Sequence, residues 1–259
     1  MQRQRVTIRG ASAFEQLRSM VVEFGLMGAL FMLYFATRGI AAGKETVAFS
    51  NAYEVMDLER RLGLFHELAF QGWLLAEPAA LRFLNFIYAY THMAALIMFG
   101  AWVFLAHHEH YAGIRNAFVV LLGLGLTVYV LYPLAPPRFF PYTGFVDTLA
   151  MYSGANYDQP SLAMVYNPFA AMPSLHIGFS LFTGIGLIKV GRRLVHWLLG
   201  ITFPLLMLAA VVGTGNHYIL DAIVGALFAG LAYVIAPRIA GALASLRRGR
   251  DVSLRPVTR

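Results

Sequence analysis

The sequence predicts an all-α membrane protein with six transmembrane helices and interfacial amphipathic helices between the first and the second. Three observations lead there. Of the 259 residues, 59% are hydrophobic and 13% charged, about half the charged share of a soluble domain. Several apolar runs reach the roughly 18 residues needed to cross the ~30 Å hydrocarbon layer. Basic residues gather at the tails and loops of one side, as the positive-inside rule requires of a polytopic chain.

The elements follow in order. Residues 1–19 form a basic N-tail, and the apolar stretch from Val21 to Ile40 has no small-residue cleavage site, so 20–41 reads as an uncleaved anchor helix. Residues 44–78 carry too much charge to span. They read as one or two helices lying on the interface, with Ala52, Val55, Met56 and Leu62 turned to lipid or protein and Glu54, Asp57 and Arg61 in water. Further spans fall at 80–106, 117–135, 173–189, 195–213 and 217–236, of which 173–189 is the shortest. Residues 135–172 are rich in Pro, Tyr, Asn and Gly and show no helical period, which predicts a long loop of the kind usually kept for function. Residues 237–259 make a basic C-tail. No repeat divides the chain, so 1–259 reads as a single polytopic domain.

Charge sets the expected orientation. With six spans both termini share a side, and that side holds 14 of the 20 basic residues against four acids. The opposite side holds six basic and nine acidic residues, a net −3 against +10. The termini are therefore expected in the cytoplasm and the protein in the plasma membrane. The overall charge of +7 has this topological origin; no basic patch interleaved with aromatics is present, which argues against a nucleic-acid partner. The C-tail suits anionic headgroups instead. Absence of cysteine excludes a disulfide framework, a thiolate zinc site and a cysteine nucleophile.

Two segments carry chemistry. Ala171-Met-Pro-Ser-Leu-His176 precedes the fourth span. Pro173 suits its first turn, Ser174 is placed to bond a free backbone N–H, and His176 falls beside a helix end that favours anions. Taken alone, such a histidine more often serves local hydrogen bonding than catalysis. The second segment runs from Gly213 to Asp221 and opens the last span. His217 and Asp221, four apart, share a face if helical. A carboxylate on one imidazole nitrogen fixes the tautomer and leaves the other nitrogen as nucleophile or base. An aspartate one turn inside a membrane helix is costly and tends to be functional, although a His–Asp pair can also lock neighbouring helices. Both helices run from outside to inside, so both histidines are expected at the extracytoplasmic surface with two positive helix ends, a setting for phosphate. Arg138, the basic residue of the long loop, adds paired donors for phosphate oxygens.

At these residues the chain resembles the type 2 phosphatidic acid phosphatase (PAP2) superfamily, in its inositol phosphorylceramide synthase-like branch. The second motif of that superfamily, Pro-Ser-x-His, is matched by Pro173, Ser174, Leu175 and His176, and the end of its third by His217 and Asp221. The resemblance implies that His217 is the nucleophile of a phosphohistidine intermediate, Asp221 orients it and His176 protonates the leaving group. Arg138, Ser174, Asn216 and Tyr218 are the candidate phosphate- and substrate-binding residues. Two departures stand out. Val211 occupies the position of a consensus phosphatase arginine, and Ala-Pro-Pro-Arg138 stands where a first motif with lysine and Arg-Pro belongs. Sphingolipid-type synthases lack the same arginine, and Asn51 through Glu59, Leu64 to Glu67, Asn85, Tyr88 and His92 resemble their bacterial relatives.

The implied activity is a phosphoinositol-type headgroup transfer from a phosphatidylinositol-like donor to a lipid or glycan hydroxyl. The alternative is a lipid phosphate phosphatase acting on phosphatidate or a polyprenyl (pyro)phosphate, with water as acceptor. An ion-coupled transporter, from another class, also carries intramembrane His and Asp but usually shows paired halves, which are missing here. No metal or cofactor is implied. The expected partner is a lipid drawn from the bilayer, and the sequence does not set the oligomeric state.

Other residues have plainer readings. His107, His108 and His110 are expected in a short solvated cytoplasmic loop, with no acid or thiolate cluster to complete a metal site. Asn85, Tyr88 and His92 share a face of the second span, either as interhelical contacts or as a lining for lipid access. Glu59 and Glu67 read as carboxylates of the interfacial surface. The aromatics of 139–166 form an interfacial belt or a lid over the site.

Overall fold

The computed structural model describes residues 43–153 and 168–253, with scattered positions between 18 and 33. Within them the chain forms helices α1 (Glu45–Leu62), α2 (Glu67–Leu75), α3 (Pro78–Ala106), α4 (His108–Leu131), α5 (Thr148–Ser153), α6 (Leu175–Val190), α7 (Leu194–Gly213) and α8 (Ile219–Ser253). Helix α3 contains a π-helical stretch at Ile87–Thr91, a local widening that often accompanies functional sites. No strand occurs among the described residues; an isolated bridge joins Leu134 to Ala170.

Helices α3, α4, α7 and the part of α8 up to Leu246 are long and apolar enough to cross a membrane. A third or less of each apolar window is buried within the protein. Ile97, Leu105, Leu131 and Leu194 are each at least 65% exposed. So large an apolar surface is untenable in water and natural against lipid, where the helical backbone satisfies its own polar groups. Helix α6 is shorter, with 16 residues, and is buried on most sides by α3, α4, α7 and α8. That is the expected place for a helix apolar all round.

Small residues let α6 sit so deep. A Cβ on Gly184 would lie 2.3 Å from the Gly200 carbonyl oxygen of α7, and one on Gly225 of α8 would lie 2.2 Å from the Ser174 carbonyl oxygen. Neither contact admits a side chain, so these glycines set the helix spacing.

The elements depart from the sequence expectation at their polar ends. The span expected at 117–135 begins at His108 and ends at Leu131, which puts His108 and His110 inside a helix and leaves His107 alone as the joint between α3 and α4. The last helix runs on to Ser253 rather than stopping at 236, so the basic C-tail continues a helix. In both cases hydropathy marks the apolar stretch, whereas backbone hydrogen bonding carries the helix on into water. Residues 135–172 are not a structureless loop. They contain 3₁₀ turns at Pro137–Phe139 and Pro141–Thr143 and the short α5, and they bury Arg138, Phe140, Phe145 and Leu149. Elements of one turn are too short to show a period. Residues 154–167 of this stretch, and most of the span expected at 20–41, lie outside the described residues. Glu23 is described, and it pairs with Arg115 and accepts a bond from the Tyr111 hydroxyl at 3.3 Å.

On α1, Ala48, Ala52, Val55, Met56 and Glu59 form one buried stripe, while Leu62, expected to be covered, is exposed. Phe140 packs in its core against Phe49 and Tyr53 of α1.

Gly225→Ala is expected to lower the thermal midpoint in detergent, with an overpacking cost of about 1–3 kcal/mol, because the opposing atom is backbone and cannot swing away. Gly230→Ala on the same helix, with open space beside it, should leave the midpoint in place. Differential scanning fluorimetry of the two variants checks both.

Candidate active site

Two chain reversals build the site. At the first, Ser174 is the N-cap of α6, and its hydroxyl accepts the Ile177 N–H at 3.4 Å. Pro173 therefore precedes the cap instead of occupying the first turn, and His176 is the second residue of α6. The Ser174 N–H donates to the Asp221 carbonyl at 3.0 Å, so the start of α6 is tied directly to the start of α8.

At the second reversal α7 ends at Gly213 and the chain doubles back before α8 begins at Ile219. Gly215 takes a left-handed conformation (φ 70°), which a side chain would strain. The Val211 carbonyl accepts the N–H of both Asn216 and His217 at 3.1 Å. His217 thus lies ahead of the helix, so the turn, and not a shared helix face, brings it within reach of Asp221. Its Nδ1 is 3.5 Å from Asp221 Oδ2 but only 2.8 Å from the Ala171 carbonyl oxygen. Asp221 Oδ2 instead accepts the Tyr218 N–H at 2.9 Å and caps its own helix.

This arrangement fixes the His217 tautomer. A carbonyl oxygen has no proton to give, so Nδ1 is the donor, and the neutral ring keeps a lone pair on Nε2. Nε2 faces His176 Nδ1 at 3.3 Å. Tyr88 stacks on the His176 ring with centroids 4.2 Å apart, and His92 lies 4.1 Å from it on the same α3 face. Tyr88, His92, His176, Asn216 and His217 line a cavity of about 910 Å³ that runs through the bundle to Glu23, Tyr111 and Arg115. Most of its wall is apolar, with residues such as Leu96, Phe99, Phe118 and Phe179.

Arg138 is not a surface arginine. It is 4% exposed, its Nε lies 3.5 Å from Asp147 Oδ2, and its Nη1 bonds the Asn216 side-chain oxygen. Its backbone N–H donates to Gly215 at 2.8 Å, so one residue braces the long connection against the His217 turn. Of the seven residues expected at the site, the structure gathers His176, His217, Asp221, Arg138 and Asn216. It does not bring the Ser174 and Tyr218 hydroxyls to the cavity. Ser174 is occupied as a cap, and Tyr218 is buried in an apolar cluster with Phe140 and Phe145. Among the described residues no group of three or more His, Asp or Glu side chains could hold a metal ion.

Asn85, Tyr88 and His92 divide between their two readings. Asn85 makes an interhelical contact, accepting the Thr148 hydroxyl at 3.0 Å, and the other two face the cavity. Glu59 and Glu67 overturn the surface reading, since both are fully buried. The signal for Glu59 was its register with Ala48, Ala52, Val55 and Met56. Glu67 and Gln71 gave none. Gln71 holds Val146 through both amide atoms, at 3.0 and 2.9 Å.

Apolar helices long enough to span a membrane thus enclose two facing imidazoles, a nearby carboxyl group and a buried guanidinium. A family model of the PAP2 superfamily matches residues 53–235, and the chain belongs to that superfamily. Its members are typically phosphatases or phosphotransferases. Searches of curated proteins and of solved structures gave no match.

Arg138→Ala should destabilise the protein by about 1–3 kcal/mol and lower its thermal midpoint in detergent, since it leaves the Asp147 and Asn216 side chains without their partner. Differential scanning fluorimetry would show this, and an unchanged midpoint would mean that Arg138 does not brace the connection.

Proposed function

We propose that this protein is a headgroup phosphotransferase of the inositol phosphorylceramide synthase-like branch, working through phospho-His217. The observation that carries the reading is the Ala171 carbonyl on His217 Nδ1, which leaves Nε2 as a lone pair pointed at His176. Nε2 attacks the phosphorus of a donor phosphodiester such as phosphatidylinositol, and the bond from phosphorus to the diacylglycerol oxygen breaks. His176, as imidazolium, gives its proton to that oxygen. The positive charge left on the phosphorylated ring is balanced by Asp221. An acceptor hydroxyl of a lipid or glycan then loses its proton to neutral His176, attacks the same phosphorus and restores His217. The phosphorus enters along the line now held by the His176 ring, so binding displaces the 3.3 Å contact.

Three features support transfer over hydrolysis. His217 itself is buried, 4% exposed, which disfavours water as acceptor. The cavity wall suits acyl chains. Val211, where the phosphatase consensus has an arginine, is buried among apolar residues, so fewer cations await a phosphomonoester. The reading places six spans in the plasma membrane, with both termini cytoplasmic, α1 and α2 at the outer interface and the site extracytoplasmic. The distribution of basic residues supports that orientation.

The test is to give purified protein headgroup-labelled phosphatidylinositol and a panel of hydroxyl acceptors, then identify products by mass spectrometry. A new headgroup-bearing lipid is expected, with His217→Ala reducing its formation by roughly 10³-fold or more. Rapid phosphate release from phosphatidate without headgroup transfer would instead establish the phosphatase.

A further inference from the structure

The N-terminus of α8 is capped by three carboxyl groups from three elements. Asp221 Oδ2 accepts the Tyr218 N–H, Glu67 Oε1 of α2 accepts the Ile219 N–H at 2.9 Å, and Glu59 Oε1 of α1 accepts the Leu220 N–H at 2.7 Å. All three residues are 0% exposed. A helix N-terminus offers about half a unit of positive charge, too little to hold three buried anions together. The unused oxygens Glu59 Oε2, Glu67 Oε2 and Asp221 Oδ1 find no donor among the described residues, and neither does the Tyr218 hydroxyl find a partner. Glu59 Oε1 and Glu67 Oε1 sit on adjacent N–H groups of one helix start, so two buried carboxyl groups stand side by side. Two carboxyls in that relation bond only if one carries a proton.

We propose that Glu59 and Glu67 form a proton-sharing pair that positions the reactive His217–Asp221 unit, which rests on the reading of His217 given above. The proton on Glu59 donates to the Glu67 carboxylate, and the pair grips the first two N–H groups of α8. Asp221, held by the Tyr218 N–H, stays 3.5 Å from the His217 ring. Glu59 and Glu67 are positioning residues, since they touch the helix start and not the cavity.

The surroundings agree with the geometry. Burial, then the Glu67 carboxyl, pushes Glu59 up to about 9, against the helix-side bond from Leu220. Asp221 adds to the rise. The Tyr218 phenol, raised by burial and by Asp221, Glu59 and Glu67, stays neutral. The sign of the linkage follows. A carboxyl raised from 4.5 to about 9 on folding contributes stability that is full below pH 4.5 and lost as pH rises toward 9.

The experiment compares full-length wild type, Glu59→Gln and Glu59→Ala in detergent from pH 5 to 10, following transfer activity and thermal midpoint. Each kcat profile is normalised to its own value at pH 7. Wild-type kcat should fall as pH passes about 9, and Glu59→Gln, which keeps a donor without a titrating proton, should lack that limb. Glu59→Ala should lose kcat roughly tenfold or more with KM little changed. The midpoint advantage of Glu59→Gln over wild type should grow from pH 5 to about 9 and then level off. Superimposable wild-type and Glu59→Gln profiles in both readouts overturn the proposal. A protein that transfers nothing at any pH refutes the reading of His217 instead, and the midpoint comparison then still decides whether the pair holds a proton.

Discussion

The Ser174 carbonyl stands 2.2 Å from where a Gly225 side chain would begin, and the Ser174 N–H donates to the Asp221 carbonyl. Through these two contacts the starts of α6 and α8 are locked in register. His176 sits two residues beyond the first contact and His217 four before the second, so the distance between the rings is inherited from backbone packing. Side-chain attraction between two imidazoles could not hold them there; rigid backbone can.

The second constraint is the fate of the N–H groups at the start of α8. A helix end with free donors inside a protein must find acceptors. Here the acceptors come from α1 and α2 as well as from Asp221, which fixes three elements around one helix start. The same requirement explains why α1 presents a glutamate on an otherwise apolar stripe. It also frees the Ala171 carbonyl to take His217 Nδ1, because Asp221 is engaged elsewhere. The ring is oriented by backbone, and the Asp221 carboxyl group lies 3.5 Å from it.

The connection between α4 and α6 closes the assembly. Arg138 is neutralised by Asp147 and bonded to Asn216, and Gln71 holds Val146 from α2. The segment thereby covers the histidines on one side, while the apolar cavity opens below them toward Arg115. A polar site thus stands above an apolar channel.

Periodicity and composition alone determined that the chain is helical and lipid-embedded, since apolar runs and charge asymmetry are properties of local sequence. The segments that carry His176, His217 and Asp221 were readable as helix starts for a related reason, and helices do begin at Leu175 and Ile219. Tertiary structure decided how they are used. The Ala171 carbonyl on His217 is 46 positions away in the chain, and Glu59 reaches Leu220 across 161. Nor could a local reading show that Ser174 and Tyr218 are turned away from the cavity, or that Pro173 stands outside its helix. Contacts between distant segments depend on which backbones can approach, and that was settled by glycines and free N–H groups whose meaning appears only once the helices are packed.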